Sequence, residues 1–381
     1  MKKLLVLLLA AVLALSCIAA TAEGTVKIGM LTVLTGDRAT EGEYAMNAME
    51  IALEEINGNG GVLGMPLEIV VEDALGTDVG AVNAFRKMAA DPDICAIIGT
   101  NNSNDSIATS SSVLEAQVVT TAQGSNPVLM QICNEENPWM FQLRACDITL
   151  CGALMKYAVE TLGLKSFAVL HDTDSSSSNQ AALFTEALAA YGITPLVDVP
   201  FTTGTKDFSS HLAQIQNSGA EAIIACCIYT EAAIILQQKQ ALEMEQPVFG
   251  SNAFGDPITI GLAGDAINGV YSASGWVPNT PNPIGAALSA KYEERFGSAC
   301  ASSASQVYDH IYVLCEAINR AGTTDRAAVR DAMQTISDYQ GAVTVYDCRT
   351  NGDCGRGGLL VQVVDEQPVI IEELYSEKII D

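Results

Sequence analysis

The sequence predicts an α/β protein with two mainly parallel sheets, each covered by helices on both faces. Short apolar runs alternate with longer segments whose apolar residues recur every three to four positions, which is the pattern of strands alternating with helices. The alternation restarts near Asp147, so it describes two successive doubly wound sheets. A chain of 381 residues also suits two domains of roughly 100–200 residues each.

The first series covers residues 26–121. Apolar residues at positions 45, 48, 49, 52, 53 and 56 predict its first helix, and the run Asn-Gly-Asn-Gly-Gly at 57–61 ends that helix. The predicted elements are strand 26–31, helix 44–56, strand 67–71, helix 81–90, strand 95–98, helix 105–116 and strand 118–121.

The second series begins at Asp147, and the segment that follows it has a different character. The series comprises helix 147–162, strand 167–170, helix 180–191, a strand near Leu196, helix 208–218, strand 222–226, helix 231–242 and strand 248–249. Two helices then precede strands with hairpin turns, at 284–296, 305–321, 342–346, 358–364 and 368–373. We expect this last part to complete the earlier sheets.

Residues 1–22 are predicted to be a signal peptide. Two lysines precede an apolar run at 4–15 that is too short to span a membrane. Two processing routes fit: Ala-Thr-Ala at 20–22 is a small-x-small cleavage site, and Leu-Ala-Leu-Ser-Cys at 13–17 resembles a lipobox in which Cys17 carries lipid. A retained N-terminal helix is the third alternative. No later run has the length of a membrane span.

The charge balance excludes one class of partner. The chain carries 45 acidic and 19 basic side chains, a formal charge of -26, and removal of the signal takes away two lysines and no acid, which gives -28. Nucleic acids and anionic membranes are bound through Lys and Arg, so neither is an expected partner. The acid excess also disfavours an anion without a positive charge of its own as the ligand.

Cysteine and histidine give no sign of a metal site. The chain has 11 cysteines without a C-x-x-C motif and three histidines without a zinc spacing, so we expect neither a metal nor a cofactor. Cys95, Cys226 and Cys315 lie in apolar stretches and are expected in the core. Cys348 and Cys354 flank an Asn-Gly-Asp turn, where a local disulfide is one alternative.

Five polar loops follow predicted strands. Ligands of parallel α/β sheets bind beyond the carboxyl ends of the strands, where helix N-termini converge. Taken alone, the first loop favours helix caps and turn formers over a site. Five such loops from two sheets instead predict a polar cleft between the sheets. They cover residues 99–106, 122–127, 171–179, 228–231 and 250–252.

Eight short segments carry a resemblance to a known family. They are 27–29 (KIG), 34–36 (LTG), 52–61 (ALEEINGNGG), 63–64 (LG), 97–99 (IIG), 205–212 (TKDFSSHL), 250–252 (GSN) and 308–318 (YDHIYVLCEAI). Each motif is loose, but they occur in order over nearly the whole mature chain. Together they resemble the branched-chain amino acid type of periplasmic solute-binding protein.

The resemblance implies a type I periplasmic binding-protein fold, with two lobes joined by three chain crossings near Arg144, Ser272 and Asp347. Such proteins close around a solute and deliver it to the membrane permease of an ABC importer. It also implies a monomer outside the cytoplasm, either in the periplasm or lipid-anchored at the outer face of the cell membrane. The expected lobes are 25–145 plus 271–346, and 146–270 plus 347–381.

Part of the family's amino-acid site can be carried over. Ser103 and Ser125 fall where family members place hydroxyl and backbone contacts to the ligand carboxylate. Gln123 and Gly124 lie in the segment whose carbonyl faces the ammonium. The acidic position of the leucine-binding members is Asn252 here, and an amide brings no charge.

Other departures from the family pattern predict a ligand more polar than leucine, isoleucine or valine. Glu41 replaces an aromatic residue near Gly42, and Ser176 or Ser177 replaces another. The negative charge facing an ammonium falls to Glu41, Asp172 or Glu231, which the sequence alone does not separate. The candidate ligand-binding residues are Glu41, Asn102, Ser103, Gln123, Gly124, Ser125, Asp172, Ser176, Tyr229 and Asn252.

Two rival functions fit less well. For an enzyme, the glycine segment at 58–64 follows a helix rather than a strand, and no G-x-S-x-G, Walker A or H-E-x-x-H motif occurs. His171 and Asp172 are the one candidate acid–base pair. A sensory, ligand-presenting binding protein of the same fold is the second alternative. The sequence therefore predicts a non-enzymatic carrier for a small polar solute, foremost an amino acid.

Overall fold

The structure is a computed structural model and describes residues 24–36, 38–133, 137–349, 352 and 354–375. The predicted signal peptide and Cys17 lie outside these residues. Within them the chain forms two large sheets, one of five strands and one of seven, and a small two-stranded hairpin. This arrangement confirms the predicted α/β class with two parallel-sheet lobes.

The five-stranded sheet belongs to lobe 1 and is parallel throughout, in the order β2-β1-β3-β4-β5. Its helices bury apolar faces against it, with Phe85 and Met88 of one helix among the buried side chains. The elements are β1 (Val26–Thr32), α1 (Ala39–Gly58), β2 (Leu67–Asp73), α2 (Asp78–Ala89), β3 (Ile94–Ile98), α3 (Ser103–Ala116), β4 (Val119–Ala122), α4 (Pro127–Ile132) and β5 (Met140–Gln142).

The next stretch of chain supplies the parallel strands of lobe 2. Its first helix, α5 (Asp147–Lys156), continues as a π-helical turn at Tyr157–Thr161. The remaining elements are β6 (Phe167–Asp172), α6 (Ser175–Ala189), β7 (Val197–Phe201), α7 (Ser209–Ser218), β8 (Ala222–Cys226), α8 (Tyr229–Ala241), β9 (Val248–Gly250), α9 (Pro257–Ala263) and β10 (Tyr271–Ser274).

The C-terminal part contributes to both lobes. Its helices and small hairpin pack in lobe 1, where α1 and the second of these helices lie side by side. Its last two strands pair antiparallel with each other, and the first of them also pairs antiparallel with β10, which gives the seven-stranded order β14-β13-β10-β9-β8-β6-β7. The elements are α10 (Pro283–Phe296), α11 (Ser302–Ala321), α12 (Arg326–Met333), β11 (Tyr339–Gln340), β12 (Val345–Tyr346), β13 (Gly357–Val364) and β14 (Gln367–Tyr375).

The sheet pairing places two of the three chain crossings at residues other than those expected. The first crossing was expected at Arg144, which follows β5, a strand of the lobe 1 sheet. Ser272 lies inside β10, which pairs with β9 and β13 in lobe 2, so the second crossing follows Ser274. Asp347 donates its N–H to the Cys354 carbonyl, and Cys354 is packed in the lobe 1 core. We therefore infer lobe boundaries near 144, 275 and 356.

The first and third crossings lie in direct contact. A Cβ on Gly355 would stand 2.6 Å from the Arg144 carbonyl carbon and 2.7 Å from the Leu143 carbonyl oxygen, so only glycine allows this approach. The disulfide Cys348–Cys354 closes the short segment just before it. The two passages are thus held together where Arg144 enters the space between the lobes.

The core confirms the expected positions of several cysteines. Cys95, Cys226 and Cys315 are buried among apolar side chains. Throughout the described part of the chain, no group of His, Cys, Asp and Glu side chains is arranged to hold a metal ion. None of the helices in those residues combines the length and apolarity needed to cross a membrane.

Candidate functional site

Loops from both sheets line a cavity of about 80 Å³ between the lobes. They follow β3 and β4 in lobe 1 and β6, β8 and β9 in lobe 2, which are the carboxyl ends of parallel strands. Eight of the ten predicted residues line it: Glu41, Asn102, Ser103, Gly124, Ser125, Ser176, Tyr229 and Asn252.

Two of the polar loops cap helices and line the cavity at the same time. Asn102 is the N-cap of α3, and its side-chain oxygen accepts from Asn104 N at 2.7 Å. Asp174 is the N-cap of α6 and accepts from Ser176 N at 2.8 Å and Ser177 N at 3.1 Å. The capping role and the site role therefore do not exclude each other, because both helices begin at the cavity wall.

Ser103 and Ser125 in lobe 1 differ in whether their hydroxyl proton is available to a ligand. Ser103 Oγ accepts from Asn126 N at 3.3 Å, which leaves its own proton available to a ligand. The Ser125 hydroxyl donates a hydrogen bond to the buried carboxylate of Asp147. Gly124 lies between them, and a Cβ there would stand 2.5 Å from Ser103 Oγ. Glycine at this position lets the two loops meet.

Gln123 and Asp172 do not line this cavity. The Gln123 side chain donates to the Gly99 carbonyl within lobe 1. Asp172 accepts from Asp174 N at 3.0 Å and from Thr203 Oγ1 at 2.7 Å, so its carboxylate supports the loop instead of facing the ligand space. Glu231 likewise accepts from Gly204 N at 3.0 Å. Of the three acids considered for an ammonium, only Glu41 reaches the cavity.

Glu41 is engaged by an arginine that sequence reasoning missed. Arg38 donates from Nε to Glu41 Oε1 at 3.0 Å and from Nη2 to Oε2 at 2.8 Å, a bidentate pair with both side chains nearly buried. Asp105 lies 3.7 Å from Arg38 Nη1. Burial opposes the charge on Arg38, but Glu41 and Asp105 raise its pKa above the ordinary value. The pair puts fixed charges on the cavity wall.

A second arginine, Arg144, lines the cavity from the hinge. It is only 6% exposed, and its Nη1 lies 3.4 Å from Asn101 Oδ1 and 3.5 Å from the Gln123 carbonyl. Behind it, burial raises the pKa of Asp147, while Arg144, Ser125 and Gln180 oppose this shift. Arg144 thus brings a positive charge to the wall of lobe 1.

The lobes also touch beside the cavity through one carboxylate. Asp256, in lobe 2, accepts from Ser302 N of α11 in lobe 1 at 3.0 Å and from Ile258 N at 2.9 Å. Burial raises the pKa of Asp256 to about 6, against the effect of these two hydrogen bonds. The contact joins the two lobes in the conformation that encloses the cavity.

A larger cavity of about 260 Å³ shares Arg38, Glu41, Ile228 and Tyr229 with the first. Its other lining residues include Tyr44 and Leu262, one from each lobe. Burial raises the pKa of the Tyr229 phenol, so this side chain is neutral where the two cavities adjoin. The Arg38–Glu41 pair and Tyr229 therefore separate a polar chamber from a more apolar one.

Arg38, Arg144 and Asp174 are the charged lining residues that sequence reasoning did not select. Asp174 had a signal, because it belongs to a polar loop directly after a strand. Arg38 precedes α1 and Arg144 follows β5, a three-residue strand that sequence reasoning did not predict. No sequence pattern identified these two arginines as neighbours of one cavity.

Comparison with known proteins finds similarity over most of the chain. A family model described as periplasmic binding protein matches residues 25–367. The Leu/Ile/Val-binding protein BraC3 of Rhizobium johnstonii is 24% identical over 339 residues, which cover 87% of this chain and 89% of the relative.

Solved structures show the same fold. The branched-chain amino acid transporter substrate binding protein LivJ of Streptococcus pneumoniae, in complex with isoleucine, has a TM-score of 0.83 at 19% identity and covers 93% of this chain and 99% of its own. A solute binding protein of an ABC transporter from R. palustris, in complex with benzoate, has a TM-score of 0.82 at 18% identity and covers 93% and 98%. The two proteins share a fold and bind different carboxylates.

Proposed function

Because the chain belongs to the periplasmic binding protein family, we propose that it is the solute-binding component of an ABC importer and closes around a small polar solute, foremost an amino acid. The observation that carries this proposal is the cavity between the two lobes. Its walls come from both lobes and are mostly polar, with Asn102, Ser103 and Asn252 among them. A site divided between two lobes holds them together when a ligand fills it.

The lining supports a zwitterion or another polar solute over a plain aliphatic one. Ser103 offers a free hydroxyl proton at the N-terminus of α3, where a carboxylate is stabilised by the helix. Asp174 offers a carboxylate from the opposite lobe. Relatives bind leucine, isoleucine and valine by name, but the Arg38–Glu41 pair is a poor neighbour for a branched apolar side chain.

In this proposal the importer recognises the closed conformation of the protein. The first and third crossings lie in contact, and Asp256 contacts Ser302 across the interface between the lobes. A ligand that touches both walls shifts the population toward the closed form by its additional contacts there. The permease would then receive the loaded, closed protein. An extracytoplasmic location, with or without lipid on Cys17, follows from this role.

Native mass spectrometry of freshly purified protein tests the proposal. We expect a bound small molecule whose mass is unchanged after prolonged incubation, since the site has no catalytic role in this proposal. Thermal shift with the twenty L-amino acids and benzoate provides an independent measurement, because a ligand that binds only the folded state raises Tm. A protein that carries no solute and responds to no small molecule would contradict the carrier function.

A further inference from the structure

Two nitrogens of Arg144 have no hydrogen-bond partner among the residues that the structure describes. These are Nε and Nη2, both buried, whereas Nη1 makes the two long contacts to Asn101 and Gln123. Unpaired donors of a buried cation are strongly unfavourable. An arginine in this state at the wall of a cavity between two lobes indicates that a ligand supplies the missing acceptors.

Two other arginines of this protein show what the Nε–Nη2 edge of a guanidinium binds. In Arg38, the same Nε and Nη2 atoms hold the two oxygens of Glu41 at 3.0 and 2.8 Å. In Arg349, they hold the two oxygens of Asp347 at 3.0 and 2.6 Å. The guanidinium edge is planar and its two parallel N–H groups match a carboxylate. The edge of Arg144 is the same fork without its carboxylate.

The protein's own acids beside the cavity do not fill this fork. Both oxygens of Glu41 are held by Arg38. Asp147 accepts from Ser125 and from Gln180 Nε2 at 3.1 Å. Asp174 caps α6 from the other lobe. The partner of the fork must therefore come from the contents of the cavity.

We propose that the Nε–Nη2 edge of Arg144 binds a carboxylate of the solute, so that Arg144 selects solutes with this group over their uncharged amides. This inference rests on the proposed carrier function and names the group that the carrier recognises. Ser103 Oγ, on the same wall, can donate a further hydrogen bond to that carboxylate. A primary amide in its place would bring N–H groups against the fork and leave at least one of its two buried donors unpaired. Recognition would thus discriminate strongly between an acid and its amide.

Matched ligands test this in the wild-type protein. The twenty L-amino acids and benzoate are screened by isothermal titration calorimetry at pH 7, and the tightest binder is compared with its primary carboxamide. We expect the amide to bind at least 100-fold more weakly. A loss of less than tenfold would overturn the role of the fork. The carrier function survives if a solute without a carboxylate binds instead, whereas the absence of any bound small molecule removes both conclusions.

Variants locate the effect on Arg144. Arg144→Gln removes the charge, and Arg144→Lys keeps it but lacks the fork. We expect both to weaken the tightest-binding acid at least tenfold and to reduce the difference between acid and amide. Arg295→Gln, at a surface arginine of α10, is the matched control and should bind as the wild type does. Equal affinity for the acid in folded Arg144→Lys and wild type would contradict the inference, and circular dichroism reports whether each variant is folded.

Discussion

Replacing Glu41 tests whether the buried Arg38–Glu41 ion pair in the cavity wall stabilises the folded protein. Glu41→Leu removes both acceptors of a nearly buried bidentate pair. Removing one partner of such a pair destabilises proteins by about 3–5 kcal/mol, because the other charge stays buried. Arg38 retains Asp105 at 3.7 Å and the Asn101 carbonyl at 3.4 Å. We therefore expect a loss near the lower end, about 3 kcal/mol.

The double variant Arg38→Leu/Glu41→Leu separates the pair from its surroundings. Replacing a buried ion pair by apolar residues is often neutral or stabilising, so the double variant should recover most of the loss of Glu41→Leu. The assay is urea unfolding of the ligand-free protein by tryptophan fluorescence. Both tryptophans, Trp139 and Trp276, lie in the lobe 1 core and report on the lobe that holds the pair.

Two results would refute this reasoning. A loss below about 1 kcal/mol for Glu41→Leu would mean that Arg38 is not left unpaired, since exposed pairs contribute about that much or less. A double variant that loses the sum of the two single losses would show that the side chains are not coupled. Either result would remove the argument that fixed charges in this wall disfavour an apolar solute.

Three further predictions address the site, the pH response and the disulfide. Ser103→Ala should weaken the solute identified by native mass spectrometry by about 1–3 kcal/mol in calorimetry, because a buried hydrogen bond is lost, and unchanged affinity would remove Ser103 from the site. Burial lowers the pKa of His310 to about 3, so the unfolded state takes up a proton below pH 6.5 and the folded state does not. The free energy of unfolding should therefore fall by about 2 kcal/mol more from pH 7 to pH 5 in the wild type than in His310→Asn, in urea titrations at both pH values. Cys348→Ser/Cys354→Ser should lower the free energy of unfolding by about 2 kcal/mol, as expected for a crosslink between residues six positions apart, and reductant should have little effect on that variant.

The polar loops could be predicted because their position depends on local pattern alone. A buried strand followed by Asn, Ser and Asp at a helix start leaves few alternatives, and Asn102 and Ser176 of two such loops line the cavity. The same pattern did not separate Asp172 from Asp174. Asp172 is the last residue of β6 and Asp174 follows it, but the first accepts from Thr203 of the next loop while the second faces the cavity. That distinction depends on a contact 31 residues away.

The crossings were harder to predict because strand membership depends on distant partners. Ser272 pairs with Val361, which follows it by 89 residues, so nothing near Ser272 indicates its sheet. The short strand β5 was missed for a related reason, since three residues carry little pattern. The sequence placed a crossing near Arg144, but without β5 it did not identify Arg144 as a lining residue of the cavity.

Net charge and local charge lead to opposite expectations about the ligand. The acid excess of the chain disfavours a free anion at the surface, where charges are screened within about 8 Å by physiological salt. Inside the closed cavity, contact distances and low dielectric make a single guanidinium decisive: two unit charges 4 Å apart interact by about 4 kcal/mol at an effective dielectric of 20, against about 1 kcal/mol in water. Arg144, with two unpaired donors, can hold a carboxylate although the chain as a whole is acidic. The surface charge then sets the association rate of an anionic solute, and the hydrogen bonds of Arg144 set its dissociation rate.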